Sequence, residues 1–262
     1  MPILAEQGIY IGSEATIYRI LKEEGQLTHR SSCEPPKKVG RPAHLVATGP
    51  CQVWSWDITY LPTEVKGLFY YLYLVVDIWS RKIVGWSIQN EENGKWASLL
   101  MREACERECV DPGSLDLHMD RGSPMKSATF LATLQSLGVV PSFSRPKVSN
   151  DNAYSESLFK HLKYCPIYPK HGFRSLEEAK GWVSTFVSWY NMEHRHSQIQ
   201  FVTPHQRHAG LDKKILETRK KTYLKAKEKN PGRWSGGARN WNWKRVVHLN
   251  PPPKKELALG VA

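Results

Sequence analysis

With 262 residues, 40% hydrophobic content and ten Trp, the chain can build a real core in one mid-sized domain with appendages. Its longest apolar run, Leu68 to Val76, has the length of a strand, which excludes a membrane-spanning helix, and the first residues lack the basic flank and apolar block of a signal peptide. The net charge is +12, and +10 of it lies in 211–262, where fourteen Lys and Arg face four acids; a basic segment on a nearly neutral body predicts contact with a polyanion, nucleic acid first.

In chain order, Ser13 caps a predicted helix carrying Ile17, Ile20 and Leu21 on one side and stopped by Gly25. Residues 1–32 therefore read as part of a helix-turn-helix-like unit, too short to hold its own core. A Pro- and Lys-rich linker is expected over 33–50. Strands follow at Val53 to Tyr60, Phe69 to Ile78 and Lys82 to Ile88, with connections short enough for an antiparallel meander. A helix over Gly94 to Glu108, a strand at Leu115 to Met119, a helix over Ser127 to Leu137 and a strand at Val139 to Phe143 come next. Ser149, Asn150 or Asp151 opens another helix, with Asp151 preferred as its cap, and Ser175 to Asn191 forms a long one. This order predicts an α/β fold, a mixed five-stranded sheet flanked by helices over 51–210, followed by a basic Trp-containing tail over 211–262. Five Cys at irregular positions give no disulfide framework, so free thiols in a reducing cytosol are expected; Cys105 and Cys109 lack a second pair to complete a metal site.

Three acids stand out. Asp57 sits inside an aromatic strand, where Asp is disfavoured, although a hydrogen-bonded structural Asp would look the same. Asp120 ends a short strand in His118-Met119-Asp120-Arg121-Gly122, where an Asx-turn is the plain alternative. Glu156 lies on the helix after the polar loop, with Asn152, Lys160 and Lys163 on the same face, and a surface ion pair with Lys160 is its plain reading. If the three converge at one sheet edge, their repulsion calls for a cation, and hard oxygen ligands suit Mg²⁺ or Mn²⁺. Two such ions clamp an in-line phosphoryl displacement, and Lys160 and Lys163 would approach the phosphates beside them. The loop from Pro146 to Asn150 would act as a flap.

The trio, with thirty-five residues between Asp120 and Glu156, resembles the D,D(35)E signature of retroviral integrases and their bacterial relatives. More narrowly, the chain resembles insertion-sequence transposases of the IS-three type, whose second reading frame encodes an integrase-like core. The motifs that carry this likeness are Trp56-Asp57-Ile58-Thr59-Tyr60, Val76-Asp77-Ile78-Trp79-Ser80-Arg81-Lys82-Ile83-Val84-Gly85-Trp86, Ser149-Asn150-Asp151-Asn152-Ala153-Tyr154-Ser155-Glu156 and Tyr190-Asn191-Met192-Glu193-His194-Arg195-His196. The resemblance implies an RNase H-like fold and Mg²⁺-dependent DNA cleavage and strand transfer, with Asp57, Asp120 and Glu156 as catalytic metal ligands and Asp77 structural. It also implies assembly on DNA as a homo-oligomer, a cytoplasmic, nucleoid-associated location and an upstream-frame helix-turn-helix protein as partner. Met119 departs from the Ser of many relatives, and Pro124-Met125 from their Gln-Tyr. The amino end holds only the trailing part of the family's helix-turn-helix, so a truncated or second-frame product is expected.

Among cations outside the helix, Arg195, Arg233, Lys244 and Arg245 are candidate DNA contacts, the last three interleaved with Trp234, Trp241 and Trp243 in a pattern suited to stacking, unless those Trp pack on the core. Two alternatives to a transposase stay open: a truncated or impaired DNA-binding relative that holds element ends or regulates an intact enzyme, and an RNase H-like nuclease without transfer activity.

Overall fold

A computed structural model describes residues 2–27, 40–146 and 148–252. The chain divides into two compact units, 1–40 and 41–262. The described part of the first holds α1 (Pro2–Glu6) and α2 (Glu14–Glu23); the Ser13 hydroxyl accepts from Thr16 N as the cap, and Gly25 ends the helix at φ +64°. No residue of α2 is buried, as expected of a piece too small for a core.

In the second unit a strand takes part of the place of the expected linker. Of the linker expected over 33–50, residues 33–39 lie outside the described residues, whereas β1 (Leu45–Ala47) is a strand. It pairs antiparallel with β7 (Val247–Leu249) near the other end of the chain. The physical reason is the apolar Leu45-Val46-Ala47 triplet, whose Ala47 packs with Val53, Ile78, Trp79 and Leu249 in a small core.

The main sheet contains β2 (Val53–Pro62), β3 (Phe69–Asp77), β4 (Ile83–Gln89), β5 (Asp116–Met119) and β6 (Val140–Phe143), in the spatial order β4-β3-β2-β5-β6. The first three form the expected antiparallel meander, and β5 and β6 add to β2 in parallel. This order and these directions give the RNase H-like α/β fold. The parallel additions need crossovers, supplied by α3 (Gly94–Arg107) and α4 (Ala128–Ser136). These helices cover one face with Trp54, Trp56, Val75, Leu100, Met101 and Phe130. On the other face, α5 (Ala153–Lys163) and α6 (Leu176–Met192) pack Leu158, Leu162, Val183 and Phe186 against Leu72, Leu74 and Val76. Alternation along β2 produces this division, with Trp54 and Trp56 toward α3 and α4 and Ser55 toward α5.

The segment from 211 is not a free tail. After α7 (Pro204–His208), α8 (Asp212–Lys229) carries most of the cations, yet Leu216 packs with Ile199, Val202 and Trp241. The Trp241 ring is only 8% exposed, and the Trp243 indole N–H donates to Asp212 at 2.7 Å. Arg207, fully buried, pairs with Asp212 at 3.5 Å and donates to the carbonyls of Trp79 and Lys244. Trp241 and Trp243 are therefore structural, and the stacking expected of them does not fit their positions. Among the described residues no helix is long and apolar enough to cross a membrane. Cys51, Cys105, Cys109 and Cys165 are free thiols.

Candidate active site

Three elements bring the acids together. Asp57 lies in mid-β2 two residues after Ser55, hence on the same, α5-facing side. Asp120 directly follows β5, whose Met119 is in register with Trp56. Glu156 stands in the first turn of α5. A polar clamp fixes that helix on the strand: the Ser55 hydroxyl donates to Asn152 Oδ1 at 2.5 Å and lies 2.6 Å from the Ser155 hydroxyl, while Asn152 Nδ2 donates to the Trp56 carbonyl at 3.2 Å. All three clamp side chains are buried. Asp57, Asp120 and Glu156 consequently line one open cavity of about 760 Å³, together with Arg121, Lys126 and Arg145.

The electrostatics of this cavity are those of crowded carboxylates. The Asp57 carboxyl is pushed up to about 7, by burial first and then by the charge of Asp120, with Glu156 adding to it; a hydrogen bond from Ile58 N opposes the shift. Asp120 is oriented by Gly122 N, which donates to its Oδ1 at 2.9 Å. A Cβ on Gly122 would lie 2.8 Å from the Met125 sulfur and 3.1 Å from that same carboxylate oxygen, so a side chain there would press on both. Three carboxylates lining one cavity are the donor type that a hard divalent cation takes. Among the described residues, Cys51, Glu108 and His208 have ligand atoms within 4.8 Å of one another, which the three acids lining the cavity do not. There the Lys82 ammonium already meets both Glu108 oxygens, at 2.8 and 2.6 Å. Burial alone would raise the Glu108 carboxyl, but hydrogen bonds from His208 and Lys82 outweigh it and hold it near 2. That cluster is an internally neutralised ion pair.

The helix cap differs from expectation. A 3₁₀ turn over Ser149–Asn152 precedes α5, and Asn152 occupies the cap position. Asp151 instead accepts from the Arg145 backbone N and from its guanidinium through two bonds of 2.9 Å, which lowers its carboxyl. The bidentate Arg pair is the stronger claim on a carboxylate than a helix N–H. Asn152, expected beside Glu156 and Lys160 on one face, lines the cavity with Glu156 and also bonds into the clamp, whereas Lys160 does not line it. Asp77 is buried and saturated, accepting from Cys51 N, Ser80 N and the Ser80 hydroxyl.

None of the candidate DNA contacts Lys160, Lys163, Arg195, Arg233, Lys244 and Arg245 lines the carboxylate cavity. Lys160 and Lys163 are exposed further along α5. Arg195 donates to Gln206 Oε1, Lys244 approaches the Gln198 carbonyl at 3.4 Å, and Arg233 and Arg245 are exposed. The cations at the cavity are Arg121, Lys126 and Arg145, which the sequence reading missed. Their signal was adjacency: Arg121 follows Asp120 directly, and Arg145 opens the polar loop before α5.

Two family models, both described as integrase core domain, match residues 47–149 and 137–204 and so span the sheet, the crossover helices and all three acids. The transposase for insertion sequence element IS904 of Lactococcus lactis is 36% identical over 159 residues, 60% of this chain and 61% of that one. Residues 47–204 thus carry an integrase core domain, similar in sequence to that of insertion-sequence transposases. Transposase InsF for insertion sequence IS3A of Escherichia coli is 35% identical over 161 residues, 61% of this chain and 54% of the relative. The chain thus spans less than two thirds of these relatives' length. Among solved structures, a chain of the simian T-cell lymphotropic virus intasome complex is 17% identical with a TM-score of 0.49, covering 79% of this chain and 73% of that one. The HTLV-2 integrase catalytic core domain in complex with magnesium is 18% identical with a TM-score of 0.44, covering 61% of this chain and 97% of that one.

Proposed function

We propose that this protein catalyses metal-dependent DNA cleavage and strand transfer at the ends of an insertion sequence, with Asp57, Asp120 and Glu156 as the catalytic residues. The observation that carries this reading is their convergence on one open cavity. They would hold Mg²⁺ or Mn²⁺, two ions by the chemistry of the reaction, and the bound cations would supply charge for the attacking and leaving oxygens of an in-line displacement. The raised Asp57 carboxyl supports the fit, because a cation there takes the place of a proton. Asp120, held by Gly122 N, and Glu156, held through the clamp on β2, present oxygens from fixed elements. Arg121 and Lys126 at the rim would receive phosphates of the DNA. Water first breaks a phosphodiester at the element's end and leaves a 3′ hydroxyl. That hydroxyl then attacks a target phosphodiester, forming one P–O bond as another breaks.

Acting on two ends needs more than one copy, so a homo-oligomer on DNA is part of the proposal, as is a nucleoid-associated place in the cytoplasm. An upstream-frame helix-turn-helix protein would complete end recognition. The test is a Mg²⁺-dependent cleavage and joining assay on the DNA ends flanking the gene. Asp57→Asn, Asp120→Asn and Glu156→Gln should each abolish both products and leave DNA binding in place. Substantial residual cleavage in any one removes that residue from the site. Cleavage by the wild type without joined strands favours a plain nuclease.

A further inference from the structure

A second cavity, of about 330 Å³, lies on the other side of α5 from the carboxylates. Tyr154, Ser157 and His161 look into it, whereas Asn152 and Glu156 look into the carboxylate cavity. Its floor holds Arg81, from the turn between β3 and β4, in the left-handed region at φ +69°. A non-Gly residue at positive φ is uncommon and persists where its surroundings fix it.

Arg81 is a half-buried cation without a counter-ion among the described residues. Its Nε and Nη1 are buried with no hydrogen-bond partner, and among the described residues no carboxylate pairs with it. The guanidinium sits 4.2 Å from the centroid of the Tyr154 ring, which supplies only a cation–π contact. Burial alone lowers its pKa, and Tyr154, Tyr190 and Asp77 offset this only in part. His196, also on the wall, is held at about 3, by burial first and then by the Arg81 charge, so it is neutral and adds no competing cation. An uncompensated Arg in a semi-enclosed cavity is costly to keep. An anion entering the cavity would remove that cost.

We propose that this cavity binds a phosphate group, received by the Arg81 guanidinium, with its nucleoside or other carrier against the rings of Tyr154, Tyr190 and His196. Nη2, the guanidinium nitrogen that is not among its buried atoms, offers a phosphate oxygen a charge-assisted hydrogen bond. The volume exceeds what a bare oxyanion fills, and aromatic walls suit a base. Outside, Lys244 lies against the Gln198 carbonyl at the rim, so a polyanion is drawn to this mouth. The phosphate can be part of DNA or a free ion.

The experiment uses the full chain in EDTA, which silences the carboxylate site and keeps this test independent of the transposase reading. Thermal melting is followed against inorganic phosphate at constant ionic strength, for wild type, Arg81→Met and Gln198→Glu. Arg81→Met removes an unpaired, half-buried charge and should melt no lower than wild type without phosphate. Gln198→Glu places a carboxylate at an exposed rim position and leaves the fold alone. The phosphate concentration at half effect should rise about tenfold or more in both variants. A short single-stranded oligonucleotide then distinguishes the source: with DNA as the natural ligand it competes with phosphate in wild type and binds more weakly to both variants. With free phosphate as the ligand, the variants lose the phosphate response and bind the oligonucleotide as wild type does. Equal phosphate responses in all three proteins, or none in wild type, overturn the proposal.

Discussion

Asp57 is where the proposed chemistry can be read as a titration. Its carboxyl ordinarily ionises near 3.8, and in the metal-free fold near 7, chiefly because it is buried and secondarily because of Asp120. A carboxyl raised in the folded state stabilises the fold below its unfolded pKa, and that contribution is lost as pH rises through the folded value. The difference in melting temperature between wild type and Asp57→Asn should therefore fall as pH rises from about 4 to about 7. Above that range Mg²⁺ should restore stability to wild type and not to the variant; a difference that is flat with pH and metal means that Asp57 is not crowded by the other acids. At this scale the sequence was legible where a residue broke a local rule: an Asp amid strand aromatics is conspicuous, as is a carboxylate at a strand end before Gly. Asp151 was not legible. Its preference for capping is a local property, and the competing Arg145 guanidinium wins through a bidentate geometry that only the folded loop creates.

Among the elements, α5 is the one whose placement decides the site. Strand and helix periodicity located every member of the sheet and its covering helices within a residue or two, because alternating burial and amphipathic faces are written directly in the sequence. The pairing of α5 with β2 was hidden, since it rests on small polar side chains, Ser55, Asn152 and Ser155, whose hydrophobic pattern says nothing. Removing one of them tests the positioning. Asn152→Ala leaves the buried Ser55 hydroxyl with only Ser155 and the Trp56 carbonyl without its side-chain donor, which should cost about 1–3 kcal/mol in urea unfolding. Cleavage should fall further than DNA affinity, because Glu156 is displaced while Arg121 and Lys126 are not. A variant that is less stable yet cleaves at the wild-type rate would show that the clamp supports the fold and not the site. Gly122→Ala makes the corresponding case at Asp120: the added methyl presses on the carboxylate and on Met125, so the Mg²⁺ concentration for half-maximal cleavage should rise with DNA affinity retained.

For the whole molecule, the sharpest contrast between composition and structure lies after residue 210. Composition marks 211–262 as a basic tail, with a net charge of +10. Yet Asp212 is the buried partner of Arg207 and of the Trp243 indole, Trp241 closes a small core, and β7 pairs with β1. Charge counting cannot see this, because a few apolar anchors on α8 hold a helix whose remaining residues are cationic and solvated. Deleting the segment is therefore a test of folding. It strips the buried Arg207 of its carboxylate, a loss of about 3–5 kcal/mol, and it also uncovers Ala47 and Val202. Such a truncation should unfold or aggregate. The role in DNA binding is tested instead on exposed cations of α8 with no packing duty: Lys220, Lys221, Lys225 and Lys229. Replacing these four with Gln should leave the urea midpoint unchanged. Each of them that meets a phosphate contributes about 0.9 to the slope of log affinity against log salt, so the slope should become shallower by up to about 3.6 while cleavage at saturating DNA is retained. An unchanged slope would place the polyanion contact elsewhere, at the cavity rim with Arg121 and Lys126, and leave the charge of α8 as a solvated face.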